Sequence, residues 1–283
     1  MSFLASLFGY LLNFIYQIVN NYGIAILLFT IVIKLLFLPI SIKQQKTMQK
    51  TAKLQEKMKQ IQFKYKNNPE QASIETMKLY KTEKVSPFSG CLSAILQIVL
   101  LISVFFMVQS PLTYMRKVDT NLIEQYTKEL KEESGQGDNK NTRMTYPEIQ
   151  IIKENGPTDE RVALNMQFLG LDLSSVPISN LKDPKVYVIP GLYVISSIIS
   201  IKISNNMMQK KKEEDGEQKE ATELDAITQA NKNMMYMIPI MSVMVAFVAP
   251  LGLALYWLAT NVLAILERVV LNKVFESKEE EDA

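Results

Sequence analysis

Residues Tyr22–Ser41 read YGIAILLFTIVIKLLFLPIS, an almost unbroken apolar run with one lysine, Lys34, inside it. About 20 residues at about 1.5 Å each cross the hydrocarbon core of a bilayer, so the run predicts a transmembrane helix. Lys34 falls about two turns short of the Ser41 end, within the hydrocarbon region. An ammonium group there costs roughly 2.5–3.5 kcal/mol on insertion scales. Such a lysine either snorkels along its stem to the nearer interface or faces a protein interior or wet cavity, where it marks function.

The surrounding composition agrees with a membrane protein. Of 283 residues, 48% are hydrophobic, and they are bunched into long blocks instead of being spread over one soluble core. The fold class expected is all-α, a polytopic bundle. The chain has no histidine, which removes the usual general base and the commonest metal ligand. Its single cysteine, Cys91, excludes an internal disulfide and a cysteine-cluster metal site. P-loop, HExxH and GxSxG motifs are absent. No enzymatic chemistry, cofactor, metal or nucleic-acid substrate is therefore expected.

Working outward, residues 1–20 are apolar with a thin polar stripe at Ser6, Asn13, Gln17 and Asn20. They lack the positive n-region and cleavage site of a signal peptide. An interfacial helix and an additional spanning helix both fit; the stripe and the short linker favour the interfacial one. After the first span (21–41), residues 42–85 carry eleven lysines from Lys43 to Lys84 against four glutamates. Leu54, Met58, Ile61 and Tyr65 recur at helical spacing, Asn67-Asn68-Pro69 breaks the run, and Asn68 is a good N-cap for a returning helix. A basic helical hairpin is predicted, on the cytoplasmic side by charge bias, with anionic lipids at its lysines.

The second span is 86–109. A long polar stretch, 110–185, follows on the outside, its middle (about 128–161) expected to be a flexible insertion. Spans three (186–204) and four (234–249) flank a cytoplasmic loop, 205–233. Pro250-Leu251-Gly252 makes a tight outer turn into span five, 251–271, and 272–283 is a cytoplasmic tail. The count is five spans, N-terminus outside and C-terminus inside.

Lys34 has polar company. Thr30 lies one turn above it; Ser93 and Gln97 are a turn apart on span two; Ser196, Ser197 and Ser200 lie on span three; Trp257 and Asn261 are a turn apart on span five. Together they outline a hydrophilic groove with Lys34 as its charge. Each also has a bland alternative. Serines and threonines bond their own backbone or permit close helix packing, and Gln97 and Asn261 serve equally as interhelical glue. Trp257 also suits an aromatic belt.

The strings YGIAILLFTIVIKLLFLPISIKQQKTM, LYKTEKVSPFSGCLSAILQI and GLALYWLATNVLAILERVVL, in this order among five spans, resemble the YidC-type membrane protein insertases and their mitochondrial and chloroplast relatives. The segment QFLGLDLS…DPKVYVIPGL resembles that family's entry into its third span, so the likeness runs from about Asn20 to about Phe275. The resemblance implies a five-helix bundle around a polar groove open to cytoplasm and lipid. It also implies movement of hydrophobic segments and short tails of nascent membrane proteins into the bilayer, alone or beside the Sec translocon. The family's groove arginine falls on Lys34, its groove threonine on Thr30, its glutamine on Gln97 and its aromatic residue on Trp257. The hairpin is implied to receive the incoming chain or its deliverer, the ribosome or the signal recognition particle pathway. A bacterial cytoplasmic membrane is the implied location.

Two departures stand out: lysine replaces arginine, and a buried lysine can lose its proton where arginine cannot; and the 110–185 connection is longer than the family's usual one. A secondary transporter or channel using Lys34 as substrate or proton site is the alternative, but five spans do not divide into the paired repeats it calls for. A passive assembly factor, with polar residues only joining helices, is a further rival.

Overall fold

The computed structural model describes residues 2–83, 89–133, 146–214 and 243–281. For 48–53, 55–56, 59, 89–94, 96–97, 204–214, 273 and 275–281 it describes the backbone alone. The architecture is all-α with one minimal hairpin. Helices α1 (Ser2–Val19), α2 (Tyr22–Lys64), α3 (Pro69–Thr82) and α4 (Ser89–Gln109) are followed by a π-helical turn, Leu112–Arg116. Then come α5 (Thr120–Glu133), α6 (Pro147–Asn155), strands β1 (Gln167–Phe168) and β2 (Leu171–Asp172), α7 (Val188–Glu214) and α8 (Leu251–Glu281). Two compact units are resolved: the described parts of Met1–Lys34, Ile102–Glu220 and Ala230–Ala283 form the first, and Leu35–Leu101 forms the bulk of the second.

Among the described residues, four stretches are long and apolar enough to cross a membrane: Ser2–Val19, Tyr22–Thr47, Pro184–Ile203 and Leu251–Asn272. The last three match spans one, three and five of the sequence reading. The second expected span is α4, apolar over Ile98–Gln109. Of the fourth, residues 243–248 are helical, Ala249 bends away from the helix, and 234–242 lie outside the described residues. Ile24, Leu28, Ile31 and Val32 on α2, with Leu192, Ile195, Ile198 and Ile199 on α7, are exposed in rows at helical spacing. In water such rows would be an aggregation hazard; in lipid they are the surface the bilayer covers. The protein is a multi-pass membrane protein.

Within the first unit, the N-terminal ends of α2 and α8 are clamped by the segment 165–175. Asn165 accepts from Tyr22 N through its carbonyl and donates Nδ2 to Asn20 O, both at 2.9 Å. Leu251 N donates to Ser175 O and Gly252 N to Leu173 O, so free amides opening α8 find loop carbonyls. The β1–β2 hairpin turns through Leu169 and Gly170, both at positive φ, the geometry of a tight two-residue turn. It lays the Phe168 ring on Gly23, where any larger residue would collide.

The flexible insertion expected near 128–161 is folded over most of its length. Residues 134–145 lie outside the described residues, but α5 and α6 flank them and pack together. Apolar side chains account for the difference: Leu130, Ile149, Ile151, Ile152 and Val162 are buried. Glu148, at the start of α6, is buried with them. Its carboxylate accepts from the amides of Leu112 (2.7 Å) and Thr113 (3.0 Å) and from the Thr113 hydroxyl (2.6 Å), so it caps the π-turn.

In the second unit, Asn68 caps α3 as expected, its Oδ1 accepting from Gln71 N at 3.1 Å. Lys57 Nζ and Glu83 Oε1, 2.6 Å apart, join the two arms of the hairpin.

Candidate functional site

Lys34 stands twelve residues into α2, about 18 Å below Tyr22, among apolar neighbours. Its ammonium donates to Glu267 Oε2 of α8 at 3.0 Å. The lysine side chain is 25% exposed and the glutamate 15%, so the pair is largely withdrawn from the surface but not sealed. In a low-dielectric setting, mutual neutralisation is what makes two such charges tolerable. Glu267 supplies the compensation that the sequence demanded for Lys34.

Asn261 lies elsewhere on α8. At about 100° per residue, Trp257, Asn261 and Arg268 share one stripe, and Glu267 is rotated roughly 80° from Trp257. That stripe faces α7. Asn261 Nδ2 donates to Ser196 Oγ (2.9 Å) and Ser197 Oγ (3.2 Å), and Ser196 Oγ donates on to Tyr193 O (2.9 Å). Arg268 Nη1 reaches Ser200 O at 3.5 Å. The Trp257 ring sits 6.3 Å from that of Tyr193, tilted by 39°. Its Nε1 is buried without an acceptor among the described residues. Thr30 is buried and donates to Ile26 O one turn back at 2.6 Å.

The residues singled out from the sequence thus fall into separate groups. Lys34 meets Glu267; Ser197, Ser200, Trp257 and Asn261 line the α7–α8 seam; Thr30 bonds its own helix. Ser93 and Gln97 lie on α4, but their side chains are outside the described residues. Glu267 and Tyr193 were not singled out. The signal for Glu267 was present: it is the first acidic residue of a long apolar run, matching the one basic residue of another.

A concavity of about 480 Å³ lies in the 110–185 segment between Arg116, Asp119, Leu122, Gln125 and Arg161. Its guanidinium groups are engaged, Arg161 with Asp159 (2.8 Å) and Arg116 with Glu160 O (3.3 Å). The Asp159 carboxyl is held well below its ordinary range, first by its side-chain bonds to Arg161. Among the described residues, no group of three or more Cys, Asp or Glu is placed to hold a metal ion.

A profile of the family described as 60Kd inner membrane protein matches residues 14–279. The chain belongs to this family. A protein of Fusobacterium nucleatum subsp. nucleatum named membrane protein insertase YidC is 27% identical over 268 residues, 94% of this chain and 93% of that one. A Geobacter protein of the same name is 29% identical over 267 residues, again 94% of this chain but 36% of its relative. A Syntrophus aciditrophicus protein, also so named, is 48% identical over 103 residues, 36% of this chain and 18% of the other. The chain therefore spans nearly all of the first relative and a minor part of the other two. Membership in the 60Kd inner membrane protein family covers both helices that carry the Lys34–Glu267 pair.

Proposed function

We propose that this protein is a membrane protein insertase, which lowers the barrier for hydrophobic segments and short polar tails entering the bilayer from the cytoplasm. The observation that carries the proposal is an ion pair set between two lipid-facing apolar helices and left partly open. Its relatives' names support the same activity.

The physical task is to spare a polar tail the cost of hydrocarbon, several kcal/mol for each unsatisfied group. Lys34 supplies a positive charge partway across, and an acidic tail is drawn to it. The apolar segment that follows leaves sideways, past Ile31 and Val32 on α2 and Leu266 and Val270 on α8, all exposed. Lys34 and Glu267 are the charged centre of the proposed groove, and Ser197, Ser200, Trp257 and Asn261 supply polar groups along the neighbouring α7–α8 seam. The lysine-rich hairpin lies in the cytoplasm against anionic lipid, which sets the N-terminus outside and the C-terminus inside. It meets nascent chains, delivered by the ribosome, the signal recognition particle pathway or the Sec translocon. The membrane is the bacterial cytoplasmic membrane.

Purified protein reconstituted into liposomes tests this, with a small single-span substrate bearing an acidic tail. Protease protection of the tail should appear only in vesicles that contain the protein. Equal protection in empty liposomes would sink the proposal.

A further inference from the structure

Among the described residues, Glu267 is the acceptor for the Lys34 ammonium, and the contact is a single one, Nζ to Oε2. An ammonium group has three donors, so two remain for a further acceptor. A carboxylate is the chemistry that an acidic substrate tail would bring, and Glu267 already presents one at 3.0 Å. The partial exposure of both side chains gives an incoming carboxylate access without unfolding either helix. Ile31 and Val270, each about one helical turn from its ion-pair residue, are exposed as well, so a bound segment reaches the pair from the lipid side.

We infer that Glu267 is a resident stand-in for the substrate carboxylate. It occupies Lys34 in the empty protein, is displaced when an acidic tail arrives, and returns to expel that tail once the apolar segment has entered lipid. Glu267 thereby tempers the preference of Lys34 for acidic tails. A neutral tail gains nothing by competing for Lys34, whereas an acidic tail exchanges one ion pair for another. The same competition keeps acidic tails from being trapped, because the ammonium group always has a second partner within reach. The inference rests on the insertase function proposed above, and it assigns to α8 a role in choosing substrates by charge.

The test is equilibrium binding to the full chain in nanodiscs, read by anisotropy of a labelled single-span peptide carrying either Asp or Asn at one tail position. Glu267→Gln removes the competing carboxylate while keeping the shape. It should tighten binding of the Asp peptide about tenfold and leave the Asn peptide unchanged. Tenfold is the factor by which a pair closed about nine-tenths of the time lowers apparent affinity. Glu267→Asp, which keeps the charge on a shorter arm, should fall between wild type and Glu267→Gln. It answers the question even if the glutamine variant does not fold. Equal shifts for both peptides, or weaker binding of the Asp peptide, would overturn the inference and leave Glu267 a purely structural counter-ion. The wild-type preparation assayed for insertion in liposomes separates the two proposals. Failure to insert with Asp-selective binding intact removes the insertase function and leaves the exchange; insertion without the Glu267 effect does the reverse.

Discussion

Asn261 on α8 donates to both Ser196 and Ser197 on α7, at 2.9 and 3.2 Å, so one amide stitches the two helices together. Between helices in lipid there is no hydrophobic drive to association; close packing and such bonds must suffice. A double-mutant cycle of Asn261→Ala and Ser196→Ala should give a coupling of about 0.6 kcal/mol in unfolding from detergent micelles, a typical value for such a pair. Coupling near zero would mean that this amide does not hold the seam.

Lys34 and Glu267 are expected to be coupled more strongly. Lys34→Ala leaves Glu267 without its cation and should cost roughly 1–3 kcal/mol of stability, while Lys34→Ala with Glu267→Gln should recover most of it. Both variants should insert acidic-tail substrates at least tenfold more slowly than wild type, an effect of roughly 1.4 kcal/mol or more on the barrier. Lys34→Arg should retain activity, because it keeps the charge on a long arm. Thermal unfolding and liposome insertion rates read the two effects apart.

What could be read ahead of the structure was what depends on neighbours along the chain. Lys34 stood out because one charge in a 20-residue apolar run is conspicuous wherever the helix later packs. Asn68 and Pro69 signalled the start of α3 by local hydrogen-bonding chemistry, and they hold that position. Glu267 did not stand out, because Arg268 follows it and the pair resembles an ordinary charged helix end. Its meaning depends on which face α8 turns toward α2, a property of packing. The same holds for Asn261, whose choice of Ser196 and Ser197 over Lys34 follows from its lying roughly 120° around α8 from Glu267. The 110–185 segment was obscured differently. Mixed charge hid three buried isoleucines, 149, 151 and 152, although Pro147 and Gly156 bracket α6 in the usual order for a helix.

Glu148 makes the 110–185 segment responsive to pH. Burial raises its carboxyl pKa above the ordinary value of 4.5, and bonds from Thr113, Leu112 and Ser110 oppose this only in part. A carboxyl whose folded value is raised binds its proton more tightly in the folded state. Its stabilising contribution is therefore complete below 4.5 and is lost as pH climbs through the raised value. The melting temperature in detergent should accordingly fall as pH rises from 4.5 toward neutrality, and Glu148→Gln should flatten that slope. A wild-type profile rising with pH over this window would reverse the assignment.

Gly9 and Asn20 together define how α1 meets the membrane. Gly9 packs so closely on the Tyr114 carbonyl of the π-turn that a Cβ there would overlap it. Asn20, in left-handed conformation at the other end of α1, is tied by its carbonyl to Asn165 Nδ2. These anchors lie about 16 Å apart along the helix, yet one adjoins the C-terminal end of α4 and the other the N-terminal end of α2. Lys117 adds a third, bonding Ser6 Oγ at 3.0 Å and lying 4.7 Å from the Tyr10 ring centre. A helix held so, with Phe3, Leu7, Tyr10, Phe14 and Ile18 exposed along one side, is expected to run along the membrane surface. Fluorophores on Phe3→Cys and Ile18→Cys, each in a Cys91→Ala background, should therefore be quenched by spin-labelled lipids at depths within about 10 Å of each other. A spanning helix would separate them by roughly 22 Å, fifteen residues at about 1.5 Å each. Gly9→Ala should also cost roughly 1–3 kcal/mol, because the clash is with backbone that has nowhere to go.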